Sequence, residues 1–447
     1  MQRITGLETE YGCLIDESLK PREILIAIRD WIFKDDRYGL IDVHDRDWDE
    51  PAGNGGFLFN GGRVYIDMGH IEYCTPECLS ASDVVRYDRA GDAILRDAVH
   101  KLGLDGKVSF VRNNIDHCSG STFGCHENYS MSRLAPFSEK NVHSLLSFLT
   151  LRILYTGSGR VGAAVELFLP ELSLMKANSV PFQITQRSDY IQNDFYEWVQ
   201  HNRAILNTRD EPLADPTLYR RLHLLHGDTN VYPATLFLKV GTTRLVLDLL
   251  EENALPDVVL DDAVGTLRSL SRQLNPPWLV RGIENQRWNA LKLLHEFHRR
   301  AQQLFFGRDE ETNQILSLWG FVLEKLESDK SALIGLVDWV GKEHLLENFR
   351  ASENLEWDHP WLQAQDLEFH QIDPERSLGL ALSDTDGFWQ PERVRAATIQ
   401  PPVNSRAAAR SRRMREIQKK NVPYVVEWER ISVPKEKPIY FMNPFQP

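Results

Sequence analysis

Several things are scarce in this 447-residue chain, and each absence narrows its function. No run of about 18 apolar residues occurs, so a membrane-spanning helix is not expected. The start, "MQRITGLETEYG", lacks a basic segment followed by an apolar stretch, so a secretory leader is not expected and cytoplasm is. Cysteine is sparse and odd in number (Cys13, Cys74, Cys78, Cys118, Cys125), which argues against a disulfide framework. The spacing Cys74-x3-Cys78, with Cys118 and Cys125-His126 later, is loose for structural zinc; reduced, partly buried thiols are the plainer expectation. Positive charge is short as well: a formal net charge of −13 disfavours nonspecific nucleic-acid binding. Residues 157–162, "GSGRVG", lack the GK[ST] ending of a phosphate-binding loop, and no strand–glycine–helix dinucleotide pattern or internal repeat is present.

What is there suits a large soluble fold, with 42% hydrophobic and 26% charged residues. Gln2 to Ile15 reads as a strand with Gly6, Glu8 and Glu10 on one face. Pro21 opens an amphipathic helix to about Phe33, and residues 35–56 form an acidic loop containing Asp35, Asp36, Asp42, Asp45, Asp47, Asp49 and Glu50. Ser82-Asp83 is expected to cap a helix to about His100, and another helix should follow Ser138. Residues 157–182 read as a long connection. "LFLKVGTTRLVLDLLEE" reads either as strand-to-helix or as one buried helix. Two or three long helices are expected between Gln286 and Arg350. Glycine and proline gather at residues 375–400, dividing the chain into 1–380 and 381–447. The basic run 405–420 reads as a helix, either a solvated face or a donor of arginines to an anionic ligand. The class expected is α+β, an antiparallel-rich sheet with helices massed on one side.

The chemistry-bearing stretch is "NGGRVYIDMGHIEYCTPEC", residues 60–78. With period two, Arg63, Tyr65 and Asp67 face opposite to Val64 and Ile66. Glu8 and Glu10 share a strand face about 7 Å apart. Carboxylates held that close need a neutralising cation, and Mg²⁺ accepts oxygen ligands together with phosphate and water. "GCHENYSMSR" places His126 and Glu127 in a glycine-punctuated loop, and Arg221 and His223 share a strand face. A solvent-facing polar strand and a polar turn account for these features too. Bound nucleotide would need a carboxylate-held metal on a sheet with arginines on the phosphates, the ligase architecture of glutamine synthetase.

The motifs "GLETEYG", "NGGRVYID", "HIEYCTPEC", "GCHENYSMSR", "QRSDYI", "NTRDEP", "YRRLHLLHGDTN", "DLEFHQID", "PPVNSRAAAR" and "VVEW" resemble the family of the prokaryotic ubiquitin-like protein (Pup) ligase and the Pup deamidase/depupylase. The resemblance implies a glutamine-synthetase-like curved sheet with a small carboxy-terminal α/β domain, and ATP with Mg²⁺. It implies metal ligation by Glu8, Glu10, Tyr65 and Glu72, nucleotide contacts from Arg63, Thr75 and Trp428, and a catalytic Asp67. The implied partners are a Pup-like modifier and its lysine conjugates. "TGSGRVG", "QRSDYI", "NYSMSR" and the two-residue gap between Asp67 and His70 look like the depupylase branch, whereas "GCHENY" looks more like the ligase. A depupylase-like hydrolase is therefore expected, with a ligase or a nucleotide-binding pseudoenzyme as alternatives. Leu213, Ile71 and Ser411 depart from the family's usual histidine, proline and glycine.

Overall fold

The computed structural model describes residues 2–46, 50–117, 119–163, 180–197, 203–384 and 390–447. Its first strand, β1 (Thr5–Ile15), alternates as its sequence suggests: Leu7, Thr9 and Tyr11 are buried, while Glu8 and Glu10 lie half-buried on the other face. After helix α1 (Pro21–Phe33) come β2 (Gly39–Ile41), β3 (Gly55–Leu58), β4 (Arg63–Asp67) and β5 (His70–Cys74). Strands β2 and the start of β3 replace part of the expected acidic loop. Glycines 39, 55 and 56 supply pairing backbone without side-chain alternation, because a Cβ on each would strike the neighbouring strand. Asp47 and Asp49 lie outside the described residues.

Helix α2 (Ala81–Lys101) is followed by β6 (Val108–Val111), β7 (Cys125–Ser132), α3 (Glu139–Leu151) and α4 (Ile153–Thr156). The cap of α2 is Ser80 rather than Ser82: its Oγ accepts from the Asp83 amide at 3.0 Å, an ordinary N-cap bond. Ser138 caps α3 as expected. Within the expected long connection, β8 (Arg160–Val161) pairs with β9 (Phe182–Gln183). Then come β10 (Asn193–Tyr196), β11 (Ala204–Asn207) and β12 (Tyr219–Leu224).

The ambiguous apolar run is one helix, α5 (Pro233–Glu251), buried on nearly every side. A helix that is apolar all round has no stripe, so its period could not be read. Helix α6 (Ala263–Ser271) and a hairpin of β13 (Leu279–Arg281) and β14 (Arg287–Asn289) lead into α7 (Ala290–Phe305), α8 (Glu310–Ser328) and α9 (Asp338–Glu353). Short helices α10 (Pro360–Phe369), α11 (Leu378–Leu382) and α12 (Pro391–Ala397) precede α13 (Arg406–Lys420) and a small sheet of β15 (Val425–Val426), β16 (Arg430–Ser432) and β17 (Ile439–Tyr440).

The main sheet runs β10-β11-β12-β7-β1-β5-β4-β3-β2, with β6 added to the far end of β1. All its pairings are antiparallel except β10 with β11. One face packs Leu7, Tyr129, Leu222 and Leu224 against helix residues such as Val84, Phe148 and Leu236, making the principal core. Fully burying each such side chain contributes about 1.5–3 kcal/mol. The other face keeps its polar side chains, as antiparallel sheets permit.

The carboxy-terminal elements are stitched to this body. Met414, Ile417, Val426 and Ile431 share a core with Leu40, Phe57 and Phe59. Glu77 receives Arg406 Nε at 2.7 Å and Arg410 Nη1 and Nη2 at 2.8 and 2.6 Å. Burial pushes the Glu77 carboxyl up, but the charges of Arg410 and Arg406 outweigh it and hold it down at about 2. Two arginines of the basic helix thus meet an anion, and that anion is the protein's own. Ser411 donates its hydroxyl to the Phe59 carbonyl at 2.5 Å across the same seam.

Candidate functional site

Strand register assembles the predicted residues. Across β1, β5 and β4, Glu10 lies opposite Glu72, which lies opposite Tyr65, and Glu8 lies opposite Cys74, which lies opposite Arg63. Directly opposed residues of neighbouring strands share a face, so Glu8, Glu10, Arg63, Tyr65, Asp67 and Glu72 stand on one floor. Asp67 ends β4 and pairs with His70 across a two-residue turn. Met68 and Gly69 both have positive φ, 43° and 92°, as a type I′ hairpin requires.

The acids divide into two groups. Oxygens of Glu10, Asp67 and Glu72 lie within 4.8 Å of one another, a carboxylate set suited to a hard cation such as Mg²⁺. Glu8 instead groups with His126 and His223 within the same span. Gly124 lies between the two groups: a Cβ there would come within 2.9 Å of Glu10 Oε1.

Glu8 accepts from Asn128 Nδ2 at 2.9 Å and Arg221 Nη2 at 3.2 Å, with His126 Nδ1 at 3.3 Å and His223 Nε2 at 3.5 Å. Burial alone would raise its pKa, but these partners hold it well below the usual carboxylate range. His223 is driven down to about 4 by burial and by the Arg221 charge, which leaves a neutral imidazole at neutral pH. Glu72 moves the other way: burial, then the charges of Glu8, Glu10 and Asp67, raise it well above the ordinary value, against a hydrogen bond with Tyr65.

Arg63, Tyr65, Thr75, Trp428 and Glu8 line a single cavity of about 240 Å³ between the sheet and the carboxy-terminal elements. Thr75 Oγ1 accepts from the Leu7 amide at 2.9 Å. Trp428 stands edge-on to Phe57 at 5.0 Å and under the Arg410 guanidinium at 4.9 Å. Arg63 is paired with Asp42 at 3.0 Å and Glu50 at 2.6 Å, and it stacks over Tyr65 at 4.2 Å. The acidic stretch therefore reaches the floor at its arginine.

His126 and Glu127 belong to strand β7 rather than to a loop, and alternation sends them to opposite faces. Glu127 is buried against Arg152, whose Nη2 and Nη1 donate at 2.5 and 3.0 Å, and it titrates at about 2 because Arg152 outweighs burial. The thiols of Cys74, Cys78 and Cys125 are buried and free, and no cysteine joins a metal-type cluster among the described residues. Two further arginines, one of them inside the motif "QRSDYI", join the candidates. Arg187, in "QRSDYI", is buried and donates to the Phe123 carbonyl at 2.6 Å; burial, then the Arg203 charge, lowers it to about 10, and Glu10 opposes the shift. Arg203 reaches the Thr122 carbonyl at 3.4 Å. Both approach the Glu10 group from residues far along the chain.

The fold is a mixed α+β one whose largely antiparallel floor carries paired carboxylates, imidazoles and arginines on one face, the architecture of an enzyme rather than of a scaffold. The chain belongs to the Pup-ligase protein family, whose model matches residues 3–432. It is 31% identical to a Pup–protein ligase of Acidimicrobium ferrooxidans, covering 99% of this chain and 96% of that one. It is 35% identical to a depupylase of Acidothermus cellulolyticus, covering 79% and 71%. The Pup ligase PafA solved in complex with Pup superposes with a TM-score of 0.83 at 30% identity, covering 100% of this chain and 89% of that one. PafA in complex with ADP gives 0.78 at 32% identity, covering 89% and 88%.

Proposed function

We propose that this protein is a nucleotide-dependent amidohydrolase of the depupylase type. Its substrate is the carboxy-terminal glutamine amide, or the glutamyl isopeptide bond to lysine, of a Pup-type modifier. The observation that carries the reading is Asp67, set by a two-residue turn beside Glu10 and Glu72. That short turn is the gap expected of the depupylase branch, and depupylase relatives reach 35% identity. Glu8, Glu10, Tyr65 and Glu72 would hold Mg²⁺, and Arg63, Thr75 and Trp428 would hold ATP. The metal would supply neutralisation of phosphate charge and of the crowded acids. Neutral His223 and ionised Glu8 present lone pairs to a cation, as ligands must. Asp67 serves as the base that takes a proton from the attacking water and passes it to the leaving amine, or itself attacks the carbonyl carbon, the amine leaving with a proton from water and a second water then hydrolysing the Asp67 anhydride. Arg187 and Arg203 would orient the substrate's anionic end. Arg63 must exchange Asp42 and Glu50 for phosphate when nucleotide enters.

A second reading is the ligase, favoured by the 96% coverage of a ligase relative against 71% of a depupylase. The deciding experiment incubates the protein with ATP, Mg²⁺ and a Pup–lysine conjugate and follows intact masses. Release of the modifier, or of ammonia from the glutamine form, without stoichiometric ATP consumption is expected. A new isopeptide bond with one ADP made per bond would establish the ligase instead.

A further inference from the structure

Arg187 approaches the Glu10 group from residues 185–187, which belong to neither strand nor helix. Such a segment has no backbone ladder of its own, so its aim must come from side chains. Asp228 supplies it. This residue is 3% exposed and lies in the connection between β12 and α5. Its Oδ1 accepts from Thr185 Oγ1 at 2.9 Å and from the Arg187 amide at 3.2 Å. Its Oδ2 accepts from the Gln186 amide at 3.0 Å and from the Ser158 amide at 2.8 Å. Thr185 Oγ1 in turn accepts from the Arg187 amide at 3.0 Å. One carboxylate therefore grips all three residues of the segment.

The other end of Arg187 is held as well. Its Nη1 donates to the Phe123 carbonyl at 2.6 Å, and that carbonyl also takes Asn114 Nδ2 at 3.0 Å. Asn114 Oδ1 accepts from the Thr229 amide at 2.7 Å, and the Asn114 amide donates to Gln186 Oε1 at 2.6 Å. These bonds close a ring from Asp228 through Thr229, Asn114 and Phe123 to Arg187 and back. Phe123 adjoins Gly124, which stands between the two acid groups, so the ring ends at the site. Asp228 is itself pinned, because Lys239 Nζ donates to its carbonyl at 2.6 Å. Joining two loops would need only backbone bonds. A ring that grips both the amide and the guanidinium of one arginine fixes a direction.

We propose that Asp228, tied to Asn114, is a positioning residue for Arg187 and sets its guanidinium to receive the α-carboxylate at the end of the modifier. The role of Asp228 rests on the reading of Arg187 given above. An arginine locked before its substrate arrives leaves less ordering cost to be met on binding.

Calorimetry with the full chain tests it, using a Pup-type modifier ending in glutamine, once as the free α-carboxylate and once as the α-carboxamide. In the parent the carboxylate form should bind about tenfold more tightly, the worth of one charge-assisted contact. That ratio should fall towards one in Arg187→Gln and in Asp228→Asn. It should fall no further in the double variant, because both residues act through one contact. An Asp228 that served the fold alone would weaken both forms together and keep the ratio. A ratio lost in Arg187→Gln but kept in Asp228→Asn would overturn the positioning role and leave the reading of Arg187 standing. A ratio near one in the parent, or one kept in Arg187→Gln, would overturn both. If Asp228→Asn fails to fold, Thr185→Val decides, since it removes a bond from Asp228 and another from the Arg187 amide. It should cut the ratio about threefold, and an unchanged ratio there rejects the proposal.

Discussion

Glu8 and Glu10 are two residues apart on one face of β1, yet they belong to differently finished sites. Around Glu8 the protein supplies its own compensation, from Asn128, Arg221, His126 and His223. Around Glu10 it gathers two more carboxylates, Asp67 and Glu72, and the last of these is pushed towards its protonated form. A carboxylate with resident partners stays charged whatever arrives, whereas a cluster of acids is completed only by a cation.

The sharpest way to break this contrast is Asp67→Asn. It keeps size and removes the charge needed by a base or nucleophile, so turnover should fall about 10²–10⁴-fold while nucleotide still binds the cavity beside Arg63. Near-normal hydrolysis by the variant would remove Asp67 from the chemistry. Glu8→Ala should weaken metal-dependent nucleotide binding by about tenfold or more, and calorimetry on the folded variant would show it. Unchanged affinity would mean that the Glu8 group serves the fold alone.

A pH scan in chelator sharpens the electrostatic half. A carboxyl whose folded pKa is raised contributes stability below its unfolded value, here near 4.5, and loses it as pH rises through the folded value. The metal-free protein should therefore lose melting temperature with rising pH above 4.5 because of Glu72, and Mg²⁺ should restore it. Glu72→Gln should flatten the slope; equal slopes in variant and parent would show that the acids do not repel as described. Glu77 gives the opposite sign: its stabilisation is present above 4.5 and is lost as pH falls towards about 2. The smallest expected effect is Trp428→Leu, a loss of about two- to tenfold in nucleotide affinity. An unchanged constant would place the base elsewhere.

Much of this was legible where side chains alternate against solvent. The face of β1 follows directly from "GLETEYG", because Leu7, Thr9 and Tyr11 are buried opposite half-buried Glu8 and Glu10, whereas in β4 the polarity of "RVYID" alternates although its burial does not. Strands β2 and β3 escaped, since glycine pairs by backbone and leaves no pattern. Helix α5 was undecidable because burial on all sides erases its stripe. His126 and Glu127 are adjacent ligand-type residues in the sequence, and only the strand's pleat separates them. The pairing of Arg63 with Asp42 and Glu50, and the approach of Arg187 to Glu10, depend on tertiary closure that no local spacing encodes.

The grip of Glu77 on Arg406 and Arg410 bears on how the molecule can be divided. A chain shortened before residue 406 would leave Glu77 a buried carboxylate without cations. It would also lay Leu40, Phe57 and Phe59 open to water. Removing one partner of a buried ion pair costs about 3–5 kcal/mol, a large share of the roughly 5–15 kcal/mol that holds a domain together. The carboxy-terminal elements are thus not a detachable accessory. An evolutionary loss of that segment would have to replace Glu77 and the aromatic seam in the same step, which ties the carboxy-terminal segment to the integrity of the polar sheet face.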